Sequence, residues 1–294
     1  MGIGSSEKVP TNLAHGTYRN SMNKRKNTSK NWLLIIGGVI TALMFVIVII
    51  GQFYTPYDPN FMDGNARLDP PSWAHIMGTD NFGRDIFSRV VEGSGTTLTI
   101  ALMVIIIGAS IGIIIGALSG YFGGFFDTVL MRVCDVITAF PSIMLALVII
   151  AILSPSERNI VWCLSILFIP SFARVTRSEM VKQRNQNYVK LAKLMGASNF
   201  RIIFKHILPN MIPVLLPAIT IGFNNAVLAE ASMSFLGVGV SANKSSLGRM
   251  LSESQNFLVG GAPWYALAVG SAIVLLILGL SLLGEGLQQK RRNR

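Results

Sequence analysis

The sequence predicts an all-α polytopic membrane protein of six transmembrane helices, with a helical loop between the fourth and fifth. Three observations carry this. Hydrophobic residues make up 51% of the 294 positions and charged ones only 13%, against roughly 25% charged in soluble domains, and mean hydropathy is +0.53. Apolar runs long enough to cross a hydrocarbon core of about 30 Å recur along the chain. The basic residues behind the net charge of +11 flank those runs, as the positive-inside rule requires. That distribution argues against nucleic acid and for membrane lipid as the surrounding partner.

Residues 1–31 are polar and basic, with Lys24, Arg25, Lys26 and Lys30 before the first apolar run, and are expected to form a cytoplasmic tail. Residues 32–52 hold the first transmembrane helix. Its apolar run, Trp32 to Gly51, exceeds a signal-peptide core of about 7–15 residues, and Gln52-Phe53-Tyr54 is no small-residue cleavage site. Residues 53–95 form an extracytoplasmic loop in which six acids, from Asp58 to Glu92, outnumber Arg67, Arg84 and Arg89.

Residues 96–286 form a core of five more helices. Gly93 to Phe126 is uncharged for 34 residues, about 51 Å as one helix. The glycine cluster at 120–124 is therefore expected to break it, leaving a second span near Thr97–Leu118 in which Gly108, Gly112 and Gly116 invite close helix approach. The third span is expected over Val129–Leu153, kinked at Pro141, with Arg132 pairing Asp135 at i, i+3 near its cytoplasmic end. The fourth has a short charge-free stretch, Asn159–Ala173, and reaches about 28 Å if Arg174 snorkels. The fifth runs from about Ile212 to Phe235. It contains Glu230, which is either a functional intramembrane acid or an acid near the outer headgroups. The sixth is Pro263–Leu283, and residues 287–294 are a basic tail. Both termini are then cytoplasmic, as is the basic loop at 182–209.

That loop carries the most informative stretch, Tyr188 to Pro213. Tyr188, Leu191, Ala192 and Met195 have the spacing of one helix face. Gly196 suits a helix C-terminus, and Ser198 or Asn199 can cap a second helix with Phe200, Ile203, Phe204 and Ile207 on one side. Arg201 and Lys205 mark its other side, and Pro209 is expected to stop it. The stretch resembles the EAA loop of the membrane subunits of ABC importers. Lys190, Leu191 and Ala192 occupy the Glu-Ala-Ala positions, followed by Gly196 and Ile207-Leu208-Pro209; two of the three name-giving residues depart from the pattern. The resemblance implies a coupling helix docked on an ATPase through Tyr188, Lys190, Leu191, Ala192, Met195, Gly196, Ala197, Ser198, Arg201 and Pro209.

Two further segments resemble the dipeptide, oligopeptide and nickel permeases of that group. Gly78-Thr79-Asp80, Gly83-Arg84-Asp85 and Ser88-Arg89 match their outer-loop signature, as a structural tie or as part of the substrate route. Ala229 to Gly237, AEASMSFLG, matches another segment. The resemblance implies a permease subunit similar to the C-type, in a bacterial inner or plasma membrane. It implies a homologous second permease as heterodimer partner, two cytoplasmic ATPase subunits and an extracytoplasmic substrate-binding protein. Transport would run by alternating access, with Glu230, Asp135 and Arg132 as path or gate residues. No cofactor is expected on this chain, since it has no G-x-x-x-x-G-K-[ST] loop and ATP and Mg would bind the partner subunits.

A secondary transporter or channel would place charges at mid-bilayer, and a membrane enzyme would show H-E-x-x-H or G-x-S-x-G; neither pattern is seen. Cys134, Cys163 and the scattered His15, His75 and His206 suggest no metal site. This favours peptides over bare nickel as substrate, while a metal chelate stays open.

Overall fold

The computed structural model describes residues 32–241 and 244–292, so the expected tail at 1–31 and Arg294 lie outside the described residues. The helix α1 (Trp32–Phe53) is apolar on all sides and lies against α10 (Pro263–Arg292). An 18-residue window of α1 is only 17% buried within the chain, as befits a helix at the lipid boundary.

The second span is longer than expected. Asp85 caps α2 (Ile86–Phe122) by accepting the Ser88 N–H at 2.8 Å, so the helix begins at Ile86 rather than near Thr97. Its 37 residues reach about 56 Å, and it ends at the expected glycine cluster, where Gly123 takes φ +68°.

The third span is not one kinked helix. It is two, α3 (Gly124–Thr138) and α4 (Ser142–Leu153), bent by 82°. Pro141 lacks an N–H and disfavours helical geometry at Phe140, so the first helix ends and a new one starts. The fourth span is α5 (Glu157–Arg184), started by Ser156, whose Oγ accepts the Asn159 N–H at 3.2 Å.

After the short α6 (Asn187–Leu194) the chain re-enters helix at α7 (Asn199–Arg201). Pro209 does not stop it. A π-helical turn (Ile202–Ile207) leads into α8 (Leu208–Phe235), and the three run on as one helix, Asn199–Phe235. The wider turn, in which the Leu208 N–H reaches Ile203 O, relieves the clash a proline ring makes with a normal α-turn. A shorter helix, α9 (Leu247–Leu258), precedes α10. Five described helices are long and apolar enough to cross a membrane, six if the bent pair is counted as one broken span.

The frame is the contact of α2 with α5. A Cβ at Gly112 would stand 2.6 Å from Phe172 Cβ, and one at Gly116 2.3 Å from Ala173 O, so the expected glycine row does bring two backbones together. Buried residues form a central core around Val104, Ile160, Phe172 and Ala226. Smaller cores close each end: Met180, Val189, Ile203 and Met211 at the α6 end, and Ile86, Leu247, Met250 and Tyr265 at the other.

Candidate functional site

The α6 end presents a built turn with an uncovered ridge. Gly196, at φ +79°, donates to Lys193 O, and Ala197 donates to Ala192 O, both at 3.0 Å. This pair of bonds is the glycine-terminated helix end expected from sequence. Ser198 Oγ then accepts the Arg201 N–H at 3.4 Å and starts the next helix. The elbow is tied to α2: Tyr121 Oη donates to Asn199 Oδ1 at 2.8 Å, and Arg184 donates to the carbonyls of Gly120 and Tyr121 at 2.9 and 3.1 Å. Lys193 Nζ lies 5.3 Å from the Tyr121 ring centroid.

The expected single faces are divided. Tyr188 and Ala192 turn inward beside buried Val189, and Ile203 and Ile207 are buried. Leu191 (58% exposed), Met195 (87%) and Phe200 (71%) point outward. Phe204 stacks on Phe200 with centroids 4.4 Å apart. Leu194, 84% exposed, belongs to this ridge and was missed, although it lies i+3 from Leu191. Lys190, Arg201 and Pro209 are exposed around it, and Ala197 is half-buried. The result is a solvent-facing apolar ridge with a basic rim on a rigid base.

At the opposite end the outer-loop signature is a structural tie. Asp80 is fully buried. Its Oδ1 accepts from the N–H groups of Phe82 (2.8 Å) and Arg84 (3.0 Å). Its Oδ2 accepts from Arg84 Nε (2.7 Å) and from Arg89 Nη1. Arg89 also reaches Glu253 Oε2 (3.3 Å) on α9 and Tyr265 Oη (3.2 Å) on α10. Thr79 Oγ1 donates to Ala66 O, and Asp85 Oδ1 meets His75 Nδ1 at 2.8 Å. Gly78 and Gly83 both adopt positive φ in the turns between. Glu253 and Tyr265 went unnoticed in the sequence because they lie 164 and 176 residues from Arg89.

The three expected path or gate residues are separated. Glu230 is fully buried behind α8, with Oε1 accepting from Ser234 Oγ at 2.6 Å. On its other side α8 turns Asn225, Ala229 and Ser232 into a cavity that Glu230 does not line. Its carboxyl is enclosed by protein. Arg132 and Asp135 do border a cleft, between α3 and α5, with Asp127, Arg174 and Arg177. Asp135 does not pair with Arg132. It takes Arg174 Nη2 at 3.0 Å, while Arg174 also donates to Thr138 Oγ1 at 2.6 Å. Arg174 is thus held by α3. Arg177 grips Asp127 through two bonds, one of 2.6 Å to Oδ2.

Helices long and apolar enough to span a membrane, one end tied by buried ion pairs and an exposed helical elbow at the other define a polytopic membrane protein. The description "Binding-protein-dependent transport system inner membrane component" matches residues 112–293, and "N-terminal TM domain of oligopeptide transport permease C" matches residues 25–71. The dipeptide transport system permease protein DppC of Alkalihalophilus pseudofirmus is 38% identical over 90% of this chain and 86% of its own length. The glutathione transport system permease protein GsiD of Salmonella typhimurium is 40% identical over 87% of this chain and 84% of its own. Among solved structures, an inward-facing MetNI methionine ABC transporter chain superposes with TM-score 0.58 at 20% identity, covering 71% of this chain and 98% of that one. That likeness shows the fold. The chain belongs to the binding-protein-dependent transport system inner membrane component family, and it is a multi-pass transport permease subunit rather than an enzyme.

Proposed function

We propose that the chain is one half of the translocation pore of an ATP-driven peptide importer. In this reading a homologous permease supplies the other half, and two ATPase subunits bind from the cytoplasm. A substrate-binding protein delivers peptide from outside. ATP and Mg stay on the ATPases, and this chain moves as they close. The α6 end and both termini face the cytoplasm, which agrees with the basic residues around the elbow. The observation that carries the reading is the ridge of Leu191, Leu194, Met195 and Phe200, left uncovered on a turn anchored to α2 by Tyr121 and Arg184. A push on that ridge is passed to α2 and α8 by rigid contacts. Peptide as substrate is supported by the relatives, which are named for dipeptides and for glutathione.

Arg132 and Asp135 border the route in this reading, while Glu230 is buried in α8 against Ser234. The test is Leu191→Asp. A charge desolvated in an apolar contact without a partner is costly, so the variant should reach the membrane yet lose the ATPase subunits during purification. Lys190→Ala, at the basic rim, should retain them, since rim charges contribute more to association rate than to held affinity. Full ATPase retention with normal uptake in Leu191→Asp would contradict the reading.

A further inference from the structure

We propose that Arg132 is a carboxylate-binding subsite at the inner end of the substrate route; the inference rests on the peptide-permease reading above and names the group that the substrate presents. One row of α5 lines the route. Leu164, Phe168 and Ser171 face a cavity of about 370 Å³ between α4, α5 and α8. Further along the same row, Arg174 and Arg177 face a cleft of about 550 Å³ against α3. Leu167, Thr138 and Ser142 border the small pocket between them. From Leu164 to Arg177 the row extends about 20 Å, several times the length of a dipeptide.

The lining changes character along that length. The upper part has apolar walls with Ser171, Asn225 and Ser232 as uncharged hydrogen-bonding groups. The lower part is charged. On α3 the charges lie on the cleft side, while Phe126, Val129, Val133 and Val136 are exposed on the other. Charged groups at a membrane-spanning bundle face water or protein, not lipid tails, so the cleft is the wet side.

Its charges do not cancel. Asp127 is taken by Arg177 and Asp135 by Arg174. Arg132 has no acidic partner within ion-pair distance among the described residues, which leaves the cleft one positive charge in excess. A guanidinium fork fits a carboxylate with two parallel hydrogen bonds. A cationic or ammonium group would instead meet two aspartates already satisfied. A peptide moving through this groove therefore finds apolar walls and amide partners first, and a site for its terminal carboxylate last. Arg132 is exposed, so the contact stays screened and weak, as release from a conducting path requires.

The test uses the complete transporter, with both permeases and the ATPases, in lipid nanodiscs. Met131→Cys places a thiol in the cleft lining, and the native Cys134 and Cys163 are buried. Alanyl-alanine should slow maleimide labelling of that thiol by about threefold at twice its Kd, and its C-terminal amide should not. Adding Arg132→Gln should remove the protection, and Arg132→Lys should restore part of it. Exchanging phosphatidylglycerol for phosphatidylcholine should change nothing. Equal protection by the amide, protection that survives Arg132→Gln, or none at all would overturn the proposal. Protection that follows phosphatidylglycerol content would also overturn it and assign the cleft to lipid headgroups. A complex that holds its ATPases and hydrolyses ATP but shows no carboxylate protection overturns this inference alone. A preparation that never binds ATPases overturns the parent reading as well.

Discussion

At the scale of single residues, the outer cap depends on a carboxylate that water cannot reach. Asp80 holds Arg84 and Arg89, and Arg89 in turn joins α2 to α9 and α10. Asp80→Asn keeps the volume but leaves two guanidinium groups to share Glu253 as their remaining anion. Breaking one partner out of a buried pair costs about 3–5 kcal/mol, so the purified transporter should melt several degrees lower, while Asp58→Asn at an exposed position should leave the melting temperature unchanged. Equal melting of the Asp80→Asn and unmodified proteins would contradict the tie. The residues of this network were visible in the sequence, but their role was open between tie and route. The tie runs through Glu253 and Tyr265, which no local spacing connects to Asp80. Glu230 shows the converse: an acid in an apolar run stands out in sequence, yet which side of α8 it occupies depends on where α2 and the segment before α9 pack.

At the scale of elements, helices whose signals are local were legible. The apolar run of α1, the glycine-ended turn after Leu194 and the four-residue glycine spacing on α2 all appear as expected. The prolines were not. Pro141 separates two helices by 82°, whereas Pro209 sits in a continuous one, because a π-helical turn precedes it and widens to take the ring. Whether the neighbouring turn can widen is not written in the proline itself. The contact of α2 with α5 supplies a direct prediction. Gly116→Val would drive a side chain into the backbone of Ala173, so it should abolish recovery of monodisperse protein after detergent extraction. Gly196→Ala should be recovered normally, since no atom lies within 4 Å of the added carbon and the left-handed backbone costs only about 1–2 kcal/mol. Normal recovery of Gly116→Val would show that α2 and α5 are not in this contact.

At the scale of the whole molecule, the two ends of the bundle are built differently. The cap end is stitched by buried ion pairs, while the elbow end is stitched from behind and bare in front. The proposed function places the elbow in the cytoplasm. In sealed cells Ser198→Cys should resist an impermeant maleimide while Asn65→Cys, on the exposed outer loop, should label. Reversal of the pair would invert the topology. The central claim, that the bare ridge is where the ATPase sits, is tested most directly by a photoreactive benzoyl-phenylalanine at position 195 in the assembled transporter. Irradiation should give one covalent adduct whose added mass is that of the ATPase subunit, and the same group at Trp73 on the outer loop should give none of it. An irradiated complex in which position 195 crosslinks only to lipid or to the partner permease, with the ATPases present but unlabelled, would contradict it.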